Sequence, residues 1–188
     1  VRNLSCHAAP GDLPIERLEA AVTVTPAALG GDARLKVHFR LVADLRQLRL
    51  PSPRQGQRQD VLWRHTCFEV FARARDDVGY VEVNLAPSGD WAAYRFSAYR
   101  AGLQPIAPMS TPALELATTA TTLDLRTSLS LGELRVGTPQ RAATTLDVAL
   151  AAVIEERSGG LSYWALTHPD PRRPDFHHPE SFAHEIRY

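Results

Sequence analysis

Residues 62–99 read LWRHTCFEVFARARDDVGYVEVNLAPSGDWAAYRFSAY, and three runs within them alternate in character residue by residue. Such alternation marks strands with one buried and one free face. In the first run Phe68, Val70 and Ala72 oppose Glu69, Phe71 and Arg73. In the second, Val81, Val83 and Leu85 oppose Tyr80, Glu82 and Asn84. In the third, Ala92, Tyr94, Phe96 and Ala98 oppose Trp91, Ala93, Arg95 and Ser97. Asp76-Asp77-Val78-Gly79 and Pro87-Ser88-Gly89-Asp90 carry the residue types of tight connections. Three antiparallel strands in succession form a meander, which is expected to bring the polar faces together across the sheet.

Working outward, Leu35, Val37, Phe39 and Leu41 alternate with Lys36, His38 and Arg40 after the turn signal Gly30-Gly31-Asp32, predicting a half-buried strand. Leu18–Thr25 predicts a looser first strand, and residues 1–18, with Pro10, Gly11 and Pro14, predict an irregular approach. Residues 44–60, DLRQLRLPSPRQGQRQD, predict a long surface loop of the kind that often binds. Prolines at 105, 108 and 112 mark an irregular crossing, followed by strands at 114–117 and 123–129. Thr144–Ile154 keeps an apolar spacing of two and predicts a strand, with a helix as the alternative. LSYWALTH at 161–168 predicts a further strand, and Phe182–Tyr188 a short apolar return. Many short strands and frequent turns predict one all-β domain over residues 1–188, an antiparallel β-sandwich of immunoglobulin-like or jelly-roll-like kind.

The 21 basic and 21 acidic residues balance, which argues against a nucleic-acid partner and against attachment to anionic lipid. No apolar run approaches the roughly 20 residues of a membrane span. The opening VRNLSCHAAPGDLP lacks secretory-signal features, so a cytoplasmic location is expected, with a removed signal as the alternative. Two cysteines, Cys6 and Cys67, are too few for a disulfide framework and are expected as reduced thiols.

The candidate site lies on the polar side of the opening stretch. Trp63 and Trp91 sit near turns beside hydrogen-bonding groups, the arrangement that stacks on the C–H face of a sugar while neighbours take its hydroxyls; Trp164 is expected in the core. Glu69, Glu82, Asn84 and Arg95 project from positions that adjacent strands can bring together. Paired carboxylates would suit a glycosidase, but a charged sheet face is ordinarily solvated, so catalysis is not the reading. His168, His177, His178 and His184 crowd the C-terminal part without the spacing of an established zinc motif; no metal is expected, and His177 is the member expected to face a site. Phosphate-loop, dinucleotide and nucleophile-elbow signatures are absent from the sequence.

These residues carry a family resemblance. An aromatic before a short polar link, an acidic residue within Phe68-Glu69-Val70-Phe71, the Tyr80–Gly89 run ending Asn-Leu-x-Pro-Ser-Gly, and an aromatic opening the next strand resemble DOMON-like domains. That superfamily includes the family-9 carbohydrate-binding modules. The closing WALTHPDPRRPDFHHPESF is similar to the small stand-alone bacterial members. The resemblance implies a β-sandwich that binds sugar or haem and is not itself a catalyst. In the sugar-binding case Trp63 and Trp91 would clamp a terminal sugar, with Arg64, Glu69, Glu82, Asn84 and Arg95 on its hydroxyls. In the haem case the iron would need Met109 and a histidine, or two histidines, with no motif tying Met109 to a His. The expected partner is therefore a small sugar-like molecule, with haem electron transfer or a protein-interaction role as alternatives.

Overall fold

The computed structural model describes residues 1–7, 13–27, 31–75, 77–107, 109–138, 141–142 and 145–187. Expectations touching Pro10, Gly11, Gly30, Asp76, Pro108, Thr144 and Tyr188 lie outside the described residues at those positions. The strands are β1 (Arg2–Cys6), β2 (Ile15–Thr25), β3 (Arg34–Ala43), β4 (Cys67–Ala74), β5 (Tyr80–Leu85), β6 (Trp91–Phe96) and β7 (Gln104–Pro105). They continue with β8 (Glu115–Thr118), β9 (Thr122–Ser130), β10 (Gly137–Thr138), β11 (Arg141–Ala142), β12 (Thr145–Glu155), β13 (Leu161–Ala165) and β14 (His184–Arg187). One helical turn, α1 (Leu131–Leu134), follows β9.

The first sheet has the order β8-β9-β3-β2-β1, and the second β1-β13-β12-β4-β5-β6-β7, with β14 also on β12. The pairings between these strands are antiparallel, and the fold is an all-β antiparallel sandwich. Strand β1 belongs to both sheets: Arg2–Leu4 pair with β2, and Ser5–Cys6 pair with β13. The irregular start expected for residues 1–18 is thereby corrected. Only Leu4 of this short strand is buried, so its local pattern carries almost no strand signal.

Between the sheets, Leu35, Val37, Phe39, Leu41, Leu123 and Leu125 meet Phe68, Val70, Val81, Val83, Leu85 and Leu150 in one core. The Phe39 and Phe68 rings lie 5.1 Å apart. Burial of each such side chain stabilises the fold by about 1.5–3 kcal/mol. A second apolar layer forms on the outer face of the second sheet, where Phe71, Tyr80, Tyr94, Phe96 and Val153 are covered by Leu62, Phe176 and Phe182. Strands β4, β5 and β12 are consequently buried on both faces. The expectation of a solvent-free core on one side and a free polar face on the other is corrected here: residues 174–182 return from the far end of the chain to roof that face. Double burial also explains why the β12 sequence, TLDVALAAVIE, is apolar over most of its length.

Register decides the place of Trp91. Residues directly opposite one another in an antiparallel pair share a face, and Trp91 pairs with Leu85 while Arg95 pairs with Val81. Both therefore project toward the inter-sheet side with Val81, Val83 and Leu85. Glu82 and Asn84 instead pair with Tyr94 and Ala92. Trp91 is 4% exposed in the core, as is Trp164 at 8%.

The surface loop expected at 44–60 opens with a helical turn at Leu45–Gln47 and then runs along the start of β6, with Trp91 N donating to Gln57 O and Gln59 N to Trp91 O. Asp90, 2% exposed, anchors it by accepting from Arg54, Ser88 and the Gln57 amide. A Cβ on Gly56 would meet Gly89 O at 2.1 Å, so the loop can lie this close only with glycine there.

Trp91→Ala is expected to destabilise the fold by about 3–5 kcal/mol through the cavity it leaves, as measured by urea denaturation. A loss under about 1 kcal/mol would contradict the core placement.

Candidate functional site

A cleft of about 500 Å³ opens on the outer face of the second sheet. Glu69, Glu82 and Val153 form its floor, Tyr163, Phe176 and His177 one wall, and Phe96, Arg100 and Leu103 another, with Trp63 and Arg64 at the rim.

Trp63 reaches the rim from a helical turn at Leu62–Arg64. Val61 launches this turn at φ 59°, a left-handed conformation rare for a β-branched residue. Buried Leu62 anchors the turn, and Trp63 stands edge-on to Tyr94 with ring centroids 6.1 Å apart. Tyr94 is held in turn by its hydroxyl, which donates to Asp60 at 2.5 Å. Trp63 remains 37% exposed, the most accessible of the large rings that line the cleft.

The floor is electrostatically unusual. Glu69 and Glu82 are only 3% and 4% exposed. Glu69 lies opposite Asn84, and Phe71 opposite Glu82, which makes the two carboxyls diagonal neighbours on one face. Asn84 Nδ2 donates to Glu82 Oε1 at 2.6 Å. Glu69 Oε1 is buried with no hydrogen-bond partner among the described residues. Burial, then the Glu82 charge, pushes the Glu69 carboxyl well above the usual range, against a weaker opposing effect of Arg100. Burial likewise raises Glu82, opposed by the Asn84 bond and by Arg100.

His177 links roof to floor. Its Nδ1 lies 2.8 Å from Tyr80 Oη, and its Nε2 lies 3.9 Å from Glu82 Oε2. The Arg100 amide donates to Tyr80 Oη, so the tyrosine proton can go to His177 Nδ1. In that tautomer the ring proton is on Nε2, facing Glu82. Burial and the Arg100 charge push the imidazole down to about 4, which keeps it neutral near pH 7.

Arg100 itself sits at φ 52°. Its guanidinium donates to Asp175 at 2.7 and 3.2 Å, and Tyr99 Oη donates to the same carboxylate. This latch fixes the C-terminal segment over the cleft. It also matches the Arg100 charge to Asp175, leaving the floor carboxyls without a dedicated cation.

Of the residues expected in a site, Trp63, Arg64, Glu69, Glu82 and His177 come together around the cleft. Asn84 is fully buried beneath it and supports Glu82. Trp91 and Arg95 lie on the other face of the sheet. The Trp63–Trp91 clamp is thus corrected, because register sends Trp91 into the core. Arg95 donates instead to the carbonyls of Leu134 and Arg135 at the end of α1. Phe96, Arg100, Tyr163, Asp175 and Phe176 escaped the sequence reading. The alternation of Tyr94 with Phe96 was a usable signal; the rest depend on long-range packing.

The histidine-rich end is dispersed. His168 Nε2 contacts Ser5 O, His178 Nδ1 accepts from the Glu180 amide, and His184 lies in β14. Among the described residues, no group of three or more His, Cys, Asp or Glu is arranged to hold a metal. No helix among the described residues is long and apolar enough to cross a membrane.

No family model matches the chain, and no curated protein matches it. Among solved structures, a "putative carbohydrate-binding protein" from Bacteroides uniformis ATCC 8492 is similar at TM-score 0.58 and 13% identity, over 90% of this chain and 86% of that one. A family-9 carbohydrate-binding module from Caldicellulosiruptor kristjanssonii aligns at TM-score 0.44 and 11% identity in its glucose complex, over 90% of this chain and 76% of that one. Its cellotriose complex aligns at TM-score 0.49 and 10% identity, over 98% and 82%. The Bacteroides match shows a shared fold.

The buried carboxyls give stability a defined pH dependence. Glu69 and Glu82 hold protons more readily folded than unfolded, so their contribution is present below the ordinary carboxylate range and lost as pH rises through their folded values. His177 has the opposite sign, costing stability as pH falls from its ordinary value toward about 4. Glu69→Gln removes the Glu69 part of the first effect. The melting temperature of this variant relative to wild type should rise steadily from about pH 5 to about pH 8. A constant difference across that range would show that Glu69 is not perturbed.

Proposed function

We propose that the chain is a non-catalytic saccharide-binding domain of the DOMON-like kind, with the cleft beneath Trp63 as its site. The observation that carries this reading is a partly exposed indole over a floor of two buried carboxyls, one with an unpaired oxygen. A sugar ring can present its C–H face to Trp63 and its hydroxyls to Glu69, Glu82 and the His177 Nε2 proton. Tyr163 and Phe176 offer the second aromatic surface that Trp91 does not. The cleft volume suits one or two sugar rings. The fold shared with the Bacteroides protein is compatible with this reading.

The two glutamates rise side by side from one floor, so both address the same edge of a ligand. Haem receives no support from Met109, which packs against the inter-sheet core while His177 lies on the opposite face of the second sheet.

Calorimetric titration with a panel of mono- and oligosaccharides tests the proposal. At least one should bind, and Trp63→Ala should weaken it by about tenfold or more with the melting temperature nearly unchanged. Absence of binding at millimolar concentration, or full binding by Trp63→Ala, would overturn it.

A further inference from the structure

We propose that the ligand of this cleft carries a protonated amine, an amino sugar, seated with its nitrogen over Glu69 and Glu82 and its ring against Trp63. The proposal rests on the cleft being the saccharide site and adds the chemical class of the ligand.

The argument begins with the charges that face the floor. Strand β4 contributes Glu69 and the buried thiol of Cys67, which burial keeps protonated. Strand β5 contributes Glu82 and Tyr80, β13 contributes Tyr163, and β12 contributes only the apolar Val153. The chain after β6 brings Arg100, the C-terminal segment brings His177 and Asp175, and the rim brings Arg64. Arg100 is matched to Asp175 at 2.7 Å, and His177 is neutral. Arg64 stands on the exposed rim, above the floor. Two carboxyls therefore share the floor without a committed counter-charge.

Ionised carboxylates this deeply buried are strongly disfavoured unless a cation or several donors reach them. Glu69 Oε1 is the open acceptor. A neutral hydroxyl would satisfy its hydrogen-bonding capacity while the carboxyls keep their protons, but supplies nothing that stabilises their ionised form. An ammonium group does both, donating up to three N–H bonds while supplying the missing charge. The surrounding rings of Trp63, Phe96, Tyr163 and Phe176 favour the same ligand, because aromatic faces attract cations and stack on sugar C–H groups.

Proton balance follows directly. The cation stabilises the ionised carboxyls, so protons held by Glu69 and Glu82 in the free protein leave on binding. Affinity should rise with pH until the ligand amine itself loses its proton.

The experiment is calorimetric titration near pH 6.5 with D-glucosamine, D-galactosamine and D-mannosamine, each against its parent hexose and its N-acetyl derivative. At least one hexosamine should bind about tenfold or more tightly than both neutral counterparts. Paired buffers of different ionisation enthalpy should report proton release on its binding. Glu69→Gln, shown to be folded by circular dichroism, should reduce the preference below about threefold. If that variant does not fold, Glu82→Gln carries the same expectation. Neutral hexoses binding as tightly as the hexosamines would overturn the amine proposal and leave the saccharide reading standing. A preference that survives in the folded variant would also overturn it. Absence of binding by any of these sugars would overturn the amine proposal, and the saccharide reading would fall only if the oligosaccharides also fail to bind.

Discussion

Cross-strand register in the β12-β4-β5-β6 part of the second sheet is the constraint on which the rest of the molecule depends. Phe68 opposite Leu85 and Glu69 opposite Asn84 send the apolar set toward the first sheet and the carboxyls toward the outer layer. Side chains alternate with a period of two, so a slip of one residue would exchange the sets. It would place Glu69 and Glu82 in the inter-sheet core and Phe68 and Val83 in the cleft. The large aliphatic and aromatic burial between the sheets holds the register against that exchange.

Given this register, the outer layer accommodates two carboxyls that burial disfavours. They are retained under a roof that the Arg100–Asp175 ion pair and the His177–Tyr80 hydrogen bond fasten down. The roof makes the floor a low-dielectric environment, where an unpaired acceptor is expensive and a matching ligand is correspondingly well bound. Left-handed residues stand at two edges of this arrangement, Val61 before the Trp63 turn and Arg100 at the latch. Each is a local strain of about 1–3 kcal/mol that the surrounding packing must offset.

The meander was legible because β4 and β5 alternate cleanly and Pro87–Asp90 supplies an unmistakable turn. The strand reading of β12 also followed from its spacing of two. Trp91 shows where local pattern stops. Alternation correctly grouped it with Ala93 and Arg95, but only pairing with Leu85 reveals which face that group occupies. The two adjacent alanines of β6 leave both faces plausible from sequence alone. Strand β1 was hidden because its partner β13 lies some 160 residues away and only Leu4 is buried. The roof was hidden for the same reason: Asp175 and His177 gain their role by contact with residues 75 and 97 positions earlier. Their arrival also turned an expected solvated face into a buried one.

The central claim is that Glu69 and Glu82 form a proton-holding floor that a ligand engages. Carbon-13 NMR of the side-chain carboxyls in glutamate-labelled protein, titrated with pH, tests it most directly, with Glu69→Gln and Glu82→Gln providing the assignments. The account predicts that these two resonances titrate above those of the surface glutamates and shift when a bound sugar is added. Titration of both in the ordinary carboxylate range, without response to ligand, would contradict it.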